Sequence, residues 1–370
     1  MSSNQVRRRS GLLRSMRAAI APSAKTAMRK GGLYSALRKV QPTGYVAILR
    51  YHAICAHDVG YADPSICISP AAFEEHVSYL ARNYAVLPLT IVADALREGK
   101  PLPPNAVVIT FDDGYADNLA AARVLHKHGC SATFYITTGC MTDGEPFWPA
   151  ETPALIDAIK RPFVELREGS LHVELAIGTP EQRQAAVRRL AKVFKSHPIP
   201  VRESLRQQLR AAAKNPSVAS PMLTWDQIRE MRDLHMIIGA HTVTHPNLPS
   251  AGLVAAAAEI EGSKARLEKE LGEPITMFSY PNGGAERYFT PELQEIVMRA
   301  GYSAAVTSRN GFASAASDPF GLERVQVAER LDDLLFALEV ERFAFKPRPR
   351  TTDTGEPSVP AKTDDTAGRG

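Results

Sequence analysis

Residues 106–115 read Ala106-Val107-Val108-Ile109-Thr110-Phe111-Asp112-Asp113-Gly114-Tyr115. The first six make an apolar run of strand length, and two acids follow without a spacer. A strand that ends this way sets its acids at the carboxyl edge of a sheet, where α/β proteins assemble their sites. Adjacent carboxylates repel unless a cation or a proton lies between them. A plainer reading is an Asx turn that stops the strand, with Gly114 supplying a positive φ. The segment alone leaves both open.

Outward from this strand, short apolar runs alternate with helical patterns between residues 44 and 345, the sign of an α/β fold with a largely parallel sheet. Strands are predicted at Tyr45–Tyr51, Ala132–Thr137, Met236–Ala240, Thr276–Tyr280 and Ser303–Thr307. Ser69-Pro70 is an N-cap followed by Pro at the first helical position, with Phe73, Val77, Leu80 and Tyr84 at helix spacing. Asp117–His128 reads as a helix closed by Gly129, and Thr224 with Gln227 forms a capping box opening a helix to about His235. Further helices are expected near 251–271 and 291–300. Segment 145–222 breaks the rhythm: its one strand candidate is Leu171–Ala176, and 180–213 is a charged helical pattern. It reads as an insertion, either a cap over the site or a neutral embellishment.

The chain has 370 residues, 44% hydrophobic and 23% charged, the composition of a soluble globular protein with ample material for a core. Residues 1–57 hold eleven Lys/Arg and no acid, leaving 33 basic against 40 acidic residues beyond them. Residues 1–43 are therefore expected to be a basic arm on a mildly acidic body spanning 44–345. Arg14, Arg17 and Lys25 interrupt any apolar h-region, so no signal peptide is expected, and no run is long enough for a membrane span. Localisation is expected to be cytoplasmic or peripheral to a membrane. Leu12, Leu13, Met16, Ala19 and Ile20 share a helical face opposite arginines, which would suit contact with an anionic membrane surface; a solvated extension is the blander reading. Residues 346–370 are rich in Pro, Thr and Asp and read as a disordered tail. Cys55, Cys67, Cys130 and Cys140 make no C-x-x-C pair and are expected to be free thiols. No nucleic-acid-binding motif accompanies the basic residues, and the chain has no P-loop, no G-x-S-x-G elbow and no G-x-G-x-x-G after a strand.

A second segment carries chemistry. Met236–Ala240 is followed by His241-Thr242-Val243-Thr244-His245, and two histidines four apart can present both imidazoles to one ion. Asp113 with His241 and His245 gives a His₂Asp set of three protein ligands, with room for water or substrate. One divalent ion is expected, Zn²⁺ suiting the set best, with Co²⁺, Ni²⁺ and Mn²⁺ as alternatives. Asp112 is then the natural general base, its neighbour being tied to the ion.

Thr110-Phe111-Asp112-Asp113-Gly114-Tyr115, with His241-Thr242-x-x-His245 more than a hundred residues later, resembles the first two motifs of the polysaccharide deacetylase family (carbohydrate esterase family 4, NodB-like). The resemblance spans roughly residues 45–345. It implies an irregular (β/α) barrel of about seven strands, with Asp112 as base and Asp113, His241 and His245 as metal ligands. The implied activity is removal of N-acetyl groups from an amino-sugar polysaccharide or oligosaccharide in exopolysaccharide or cell-envelope metabolism. A lipid-linked or intracellular amino-sugar precursor is the alternative substrate, and a non-catalytic metal- and sugar-binding module a second alternative.

The chain departs from the family pattern in places. The third motif, usually R-x-P-Y, reads Ser279-Tyr280-Pro281-Asn282, so a serine replaces the arginine that orients the base. Arg324, in Leu322-Glu323-Arg324-Val325, is a candidate replacement. Asn282 falls where a backbone N–H serves the oxyanion, a role independent of side chain. The family's C-terminal histidine motif is missing, since no histidine follows His245. Leu49-Arg50-Tyr51-His52 instead resembles the exopolysaccharide and poly-N-acetylglucosamine deacetylase branch, which implies His52 as the general acid; capping a strand end is its plainer role. Trp148 is expected to stack on sugar, with Tyr115, Tyr280 and Pro281 as further substrate-binding candidates, whereas Trp225 is expected in the core.

Overall fold

A computed structural model describes residues 20–40, 44–141, 144–283 and 288–344. Two helices, α1 (Pro22–Lys30) and α2 (Leu33–Lys39), precede strand β1 (Tyr45–Tyr51). Then come α3 (Pro70–Asn83), β2 (Ala85–Val86), α4 (Leu89–Glu98), β3 (Ala106–Phe111), α5 (Asn118–Lys127) and β4 (Thr133–Ile136). The insertion comprises α6 (Trp148–Ala158), β5 (Phe163–Glu168), β6 (Leu171–Ala176), α7 (Pro180–Ser196) and α8 (Ile199–Ala212). The chain returns through α9 (Trp225–Asp233), β7 (Ile237–Ala240), α10 (Leu253–Leu271), β8 (Met277–Ser279), α11 (Pro291–Arg299), β9 (Ala304–Asn310), β10 (Ala313–Ser314), β11 (Leu322–Gln326) and α12 (Leu331–Phe336).

Seven parallel strands close in the order β1-β11-β9-β8-β7-β4-β3, with β3 pairing back onto β1. This is the expected seven-stranded (β/α) barrel. Two short edge strands flank it, β2 parallel to β3 and β10 antiparallel to β1. Strand alternation divides the core. Val46, Ile48, Val108, Tyr135, Met277, Val306 and Leu322 cluster with Leu89, Val92 and Leu96 of α4, while Ala47, Leu49, Val107, Ile109 and Phe111 pack with the surrounding helices. The period of two carries the face of Val108 on to Thr110 and Asp112, and the face of Leu322 on to Arg324. Register aligns the strand ends, Tyr51 beside Phe111, Ile136 beside Ala240 and Ala240 beside Phe278. The residues that follow β1, β3, β7 and β8 therefore share one rim.

The capping box of Thr224 and Gln227 is present with both hydrogen bonds. Strand β11 escaped the sequence reading because Glu323 and Arg324 interrupt its apolar run, although both are buried. Strand β5 escaped it too: only Val164 and Leu166 point inward, between exposed Phe163, Glu165 and Arg167. It pairs antiparallel with β6, and the hairpin joins α6, α7 and α8 around a separate core that includes Leu155, Leu175, Leu190, Phe194 and Leu205.

Within the expected basic arm, the cations of residues 22–39 are matched by acids near the C-terminal end of the domain. Lys25 pairs with Asp333 at 2.6 Å, Arg29 with Asp332 at 2.5 Å and Arg38 with Glu339 at 2.8 Å, and Tyr34 is buried. The membrane-contact stretch before Ile20 and the tail at 346–370 lie outside the described residues. Among the described residues no helix is long and apolar enough to cross a membrane. All four cysteines are free and buried.

Candidate active site

Asp112 and Asp113 follow β3 and are both buried. Asp113 has φ of 78° and Gly114 of 90°, a left-handed turn that ends the strand direction after Asp112. His241 follows β7, and the chain then doubles back through Thr242 (φ 67°) to His245 (φ 55°). Asn282, after β8, has φ of 72°. Four of the eight non-glycine residues with positive φ among those described thus line this rim. Each such conformation costs about 1–3 kcal/mol and persists only where its surroundings over-determine it. Thr242, being β-branched, is the most strained in kind.

Asp113, His241 and His245 converge. Asp113 Oδ1 lies 3.4 Å from His241 Nε2 and 3.3 Å from His245 Nε2. All three ligand atoms fall within 4.8 Å of one another. Bonds of 2.0–2.1 Å to a tetrahedral Zn²⁺ would separate neighbouring ligand atoms by roughly 3.3 Å, so the spacing fits one small cation. The tautomer fits as well: His241 Nδ1 donates to the Ser279 carbonyl at 2.8 Å, which leaves the Nε2 lone pair facing Asp113. Burial alone would raise the Asp113 pKa, but its close contacts with the His241 and His245 rings hold it well below the usual carboxylate range. Burial draws His245 below the ordinary histidine value, so its imidazole is neutral and available as a ligand near pH 7.

Asp112 belongs to a different network. Arg324 reaches it across the barrel interior in a two-pronged pair, Nη1 to Oδ1 at 2.8 Å and Nη2 to Oδ2 at 2.6 Å. The other guanidinium N–H groups go to the Thr307 carbonyl (2.9 Å), Thr110 Oγ1 (3.1 Å) and Ser279 Oγ (3.2 Å), so all five donors are used. Ser279, at the position of the missing motif arginine, donates its hydroxyl to Asp112 Oδ1 at 3.1 Å. Burial pushes the Asp112 carboxyl up, yet Arg324 outweighs it and keeps the group strongly acidic. Beside it, His52 Nε2 lies 3.7 Å from Asp112 Oδ2. Burial lowers His52 to about 4 despite the two nearby carboxylates, so the ring is neutral at pH 7. Asn282 is fixed by its φ and by Ser308 Oγ, which donates to its carbonyl at 2.6 Å.

The sequence profile of the polysaccharide deacetylase family matches residues 99–305, more than half the chain. The chain belongs to the polysaccharide deacetylase family. YxkH of Bacillus subtilis (strain 168), a protein that carries the name of the same family, is 24% identical over 309 residues, covering 83% of this chain and 80% of YxkH. Among solved structures, the Streptococcus pyogenes deacetylase PplD in complex with acetate aligns with a TM-score of 0.54 at 21% identity, over 80% of this chain and 99% of PplD. IcaB from Ammonifex degensii aligns with a TM-score of 0.52 at 19% identity, over 81% of this chain and 99% of IcaB. These two likenesses establish the shared fold.

Within this family member, the residues expected to touch sugar lie elsewhere than expected. Trp148 is 4% exposed: its ring meets Phe194 edge-on at 5.7 Å, and Nε1 donates to the His245 carbonyl at 3.0 Å. Tyr115 is buried edge-on against Phe147, and Tyr280 is buried with its hydroxyl donating to the Phe320 carbonyl. Pro281 is buried too. None of the four offers a free face to a sugar ring; all four side chains are packed within the protein. Trp225, expected in the core, is partly buried against it beneath Arg266.

Sequence reasoning missed Glu259 and Arg202. Glu259 Oε2 accepts from the backbone N–H groups of Val243 (2.8 Å) and Thr244 (2.7 Å), and Oε1 from Thr244 Oγ1 (2.7 Å). Both residues sit in helices of ordinary charged pattern, and only their burial distinguishes them.

Proposed function

We propose that this chain is a metal-dependent carbohydrate N-deacetylase acting on an N-acetylated amino-sugar polysaccharide or oligosaccharide in exopolysaccharide or cell-envelope metabolism. The observation that carries the reading is a carboxylate pinned by Arg324 next to the converging Asp113, His241 and His245. Those three residues would hold one divalent ion, Zn²⁺ suiting two imidazoles and a carboxylate best, with Co²⁺, Ni²⁺ and Mn²⁺ as alternatives. Bound there, the ion supplies a Lewis acid for the acetamide carbonyl and acidifies a water molecule.

The chain's own groups handle the protons. Arg324 and Ser279 keep Asp112 ionised and aimed, so that its carboxylate can take a proton from water as the water attacks. Held so acidic, Asp112 retains that proton only briefly. His52 Nε2, neutral at pH 7 and 3.7 Å from Asp112 Oδ2, is the proposed group that receives this proton from Asp112 and, as the acid so formed, delivers it to the departing nitrogen. The Asn282 backbone N–H is the proposed donor to the oxyanion.

Acetate release across a panel of N-acetylated oligosaccharides, with Zn²⁺, Co²⁺ or Mn²⁺ added, tests the reading. Asp112→Asn is expected to bind metal as the unmodified protein does and to lose nearly all turnover; near-normal activity would remove Asp112 as base. Acetate from lipid-linked or monomeric amino sugars alone would move the substrate to a precursor. Bound metal with no acetate from any substrate would leave a binding module.

A further inference from the structure

We infer that the insertion braces the turn that carries His241 and His245, gripping it through Arg202 and Trp148 and so setting the affinity of the ion site. This rests on the proposed metal reading.

The turn is strained at Thr242 and His245, both in the left-handed region, and something must hold it. Part of the hold comes from the barrel side. The Thr138 and Gly139 N–H groups donate to the carbonyls of Thr242 (3.1 Å) and Val243 (2.8 Å), and Glu259 gathers the Val243 and Thr244 N–H groups. The rest crosses from the insertion. Thr244 Oγ1 lies 2.7 Å from Glu259 Oε1 and 2.8 Å from Arg202 Nη2. A hydroxyl has one proton, and the carboxylate can only accept it, so toward the guanidinium the same oxygen accepts. A directed chain results, Arg202 to Thr244 to Glu259, linking α8 to α10 through the middle of the turn. Arg202 is 1% exposed, and its Nε is held by Glu203 at 2.7 Å. A guanidinium is costly to bury without partners, so its place against Thr244 is tightly specified.

Trp148, at the start of α6, grips the turn's far end. Its Nε1 donates to the His245 carbonyl, and its ring is seated in the insertion's own core against Phe194. The two anchors reach the turn from 42 and 97 residues away in sequence. They bracket His245 on both sides, at the Thr244 hydroxyl and at the His245 carbonyl. The insertion thus acts on the ligand backbone through these two contacts. Arg202 and Trp148 are positioning residues.

The test uses the full chain and two readouts. Thr244→Val removes the hydroxyl at constant shape, Trp148→Phe keeps a ring without the N–H donor, and Arg202→Met removes the guanidinium. Thr244→Ser retains the hydroxyl. Zn²⁺ affinity is measured by competition with a chromogenic chelator. Amide hydrogen exchange of the 241–246 peptide is measured in metal-free protein. The first three variants are expected to lose about tenfold in Zn²⁺ affinity, the scale seen for partners that orient ligands, and to exchange faster. Thr244→Ser is expected to match the unmodified protein in both. Should Arg202→Met fail to fold, the other variants decide. Unchanged affinity and exchange in Thr244→Val and Trp148→Phe would overturn the brace. If the unmodified protein bound no Zn²⁺, the metal reading would fall, and the exchange data would still decide whether the insertion grips the turn.

Discussion

Arg324→Met is the perturbation from which the structure predicts most. The Arg324 side chain is fully buried and spends five N–H donors, two of them on Asp112, whose own side chain is 3% exposed. Methionine fills similar space and leaves the Asp112 carboxylate buried with the Ser279 hydroxyl as its remaining donor in that network. Breaking a buried pair from one side costs about 3–5 kcal/mol. Asp112→Asn keeps the shape and removes the charge, leaving Arg324 with Thr307, Thr110, Ser279 and one amide oxygen as acceptors. In that background the same Arg324→Met change no longer strands a carboxylate, so the double variant should be more stable than additivity gives, by about 2 kcal/mol. The assay is urea unfolding of all four proteins with chelator present, so that ion binding does not enter. A coupling below about 0.5 kcal/mol would refute the claim that Arg324 compensates the buried charge of Asp112. Arg324→Lys is expected to fall between, because an ammonium cannot reproduce the two-pronged geometry.

Zn²⁺ at a hundredfold excess over its dissociation constant should stabilise the protein by about 2.7 kcal/mol, seen as a rise in melting temperature that His241→Ala and His245→Ala abolish. An equal rise in those variants would place the ion elsewhere. Gly114→Ala forces a side chain onto a residue at φ +90°, with its Cβ 3.3 Å from Ile136. It should lower urea stability by more than about 1 kcal/mol and depress acetate release, and a neutral effect would show that the turn after β3 tolerates rearrangement. Burial pushes Glu339 above the usual glutamate range, against the opposing hydrogen bonds from Tyr84 and Arg38. The folded protein therefore binds that proton more readily than the unfolded chain, whose glutamates titrate near about 4.3. Lowering pH from neutral through the raised range should stabilise the unmodified protein relative to Glu339→Gln, and a difference independent of pH would contradict the shift.

Much of the barrel was legible because its signals are local. Apolar runs of strand length at 45–51 and 106–111, and the reciprocal cap at Thr224 and Gln227, depend on neighbours within a few residues. Where a strand carried buried charge, as at Glu323 and Arg324, the local signal inverted and β11 went unread. The motif pattern drew attention to Asp113, His241 and His245, and the structure brings them together because β3, β4 and β7 are neighbours. The aromatics misled, since a tryptophan or tyrosine beside a motif looks the same in sequence whether its face is free or packed.

The sequence by itself determined a parallel α/β chain with acids after one strand and paired histidines after another, because periodicity and strand endings are written over short spans. For Asp112 the sequence offered Arg324 only as a candidate partner, and the closed barrel decided it. Inserting β11 between β1 and β9 carries Arg324 to a carboxylate 212 residues distant, and docking the insertion carries Arg202 to Thr244. Nothing in the spacing of such residues records their contact, since a buried guanidinium finds its partner through the enclosure of the finished fold.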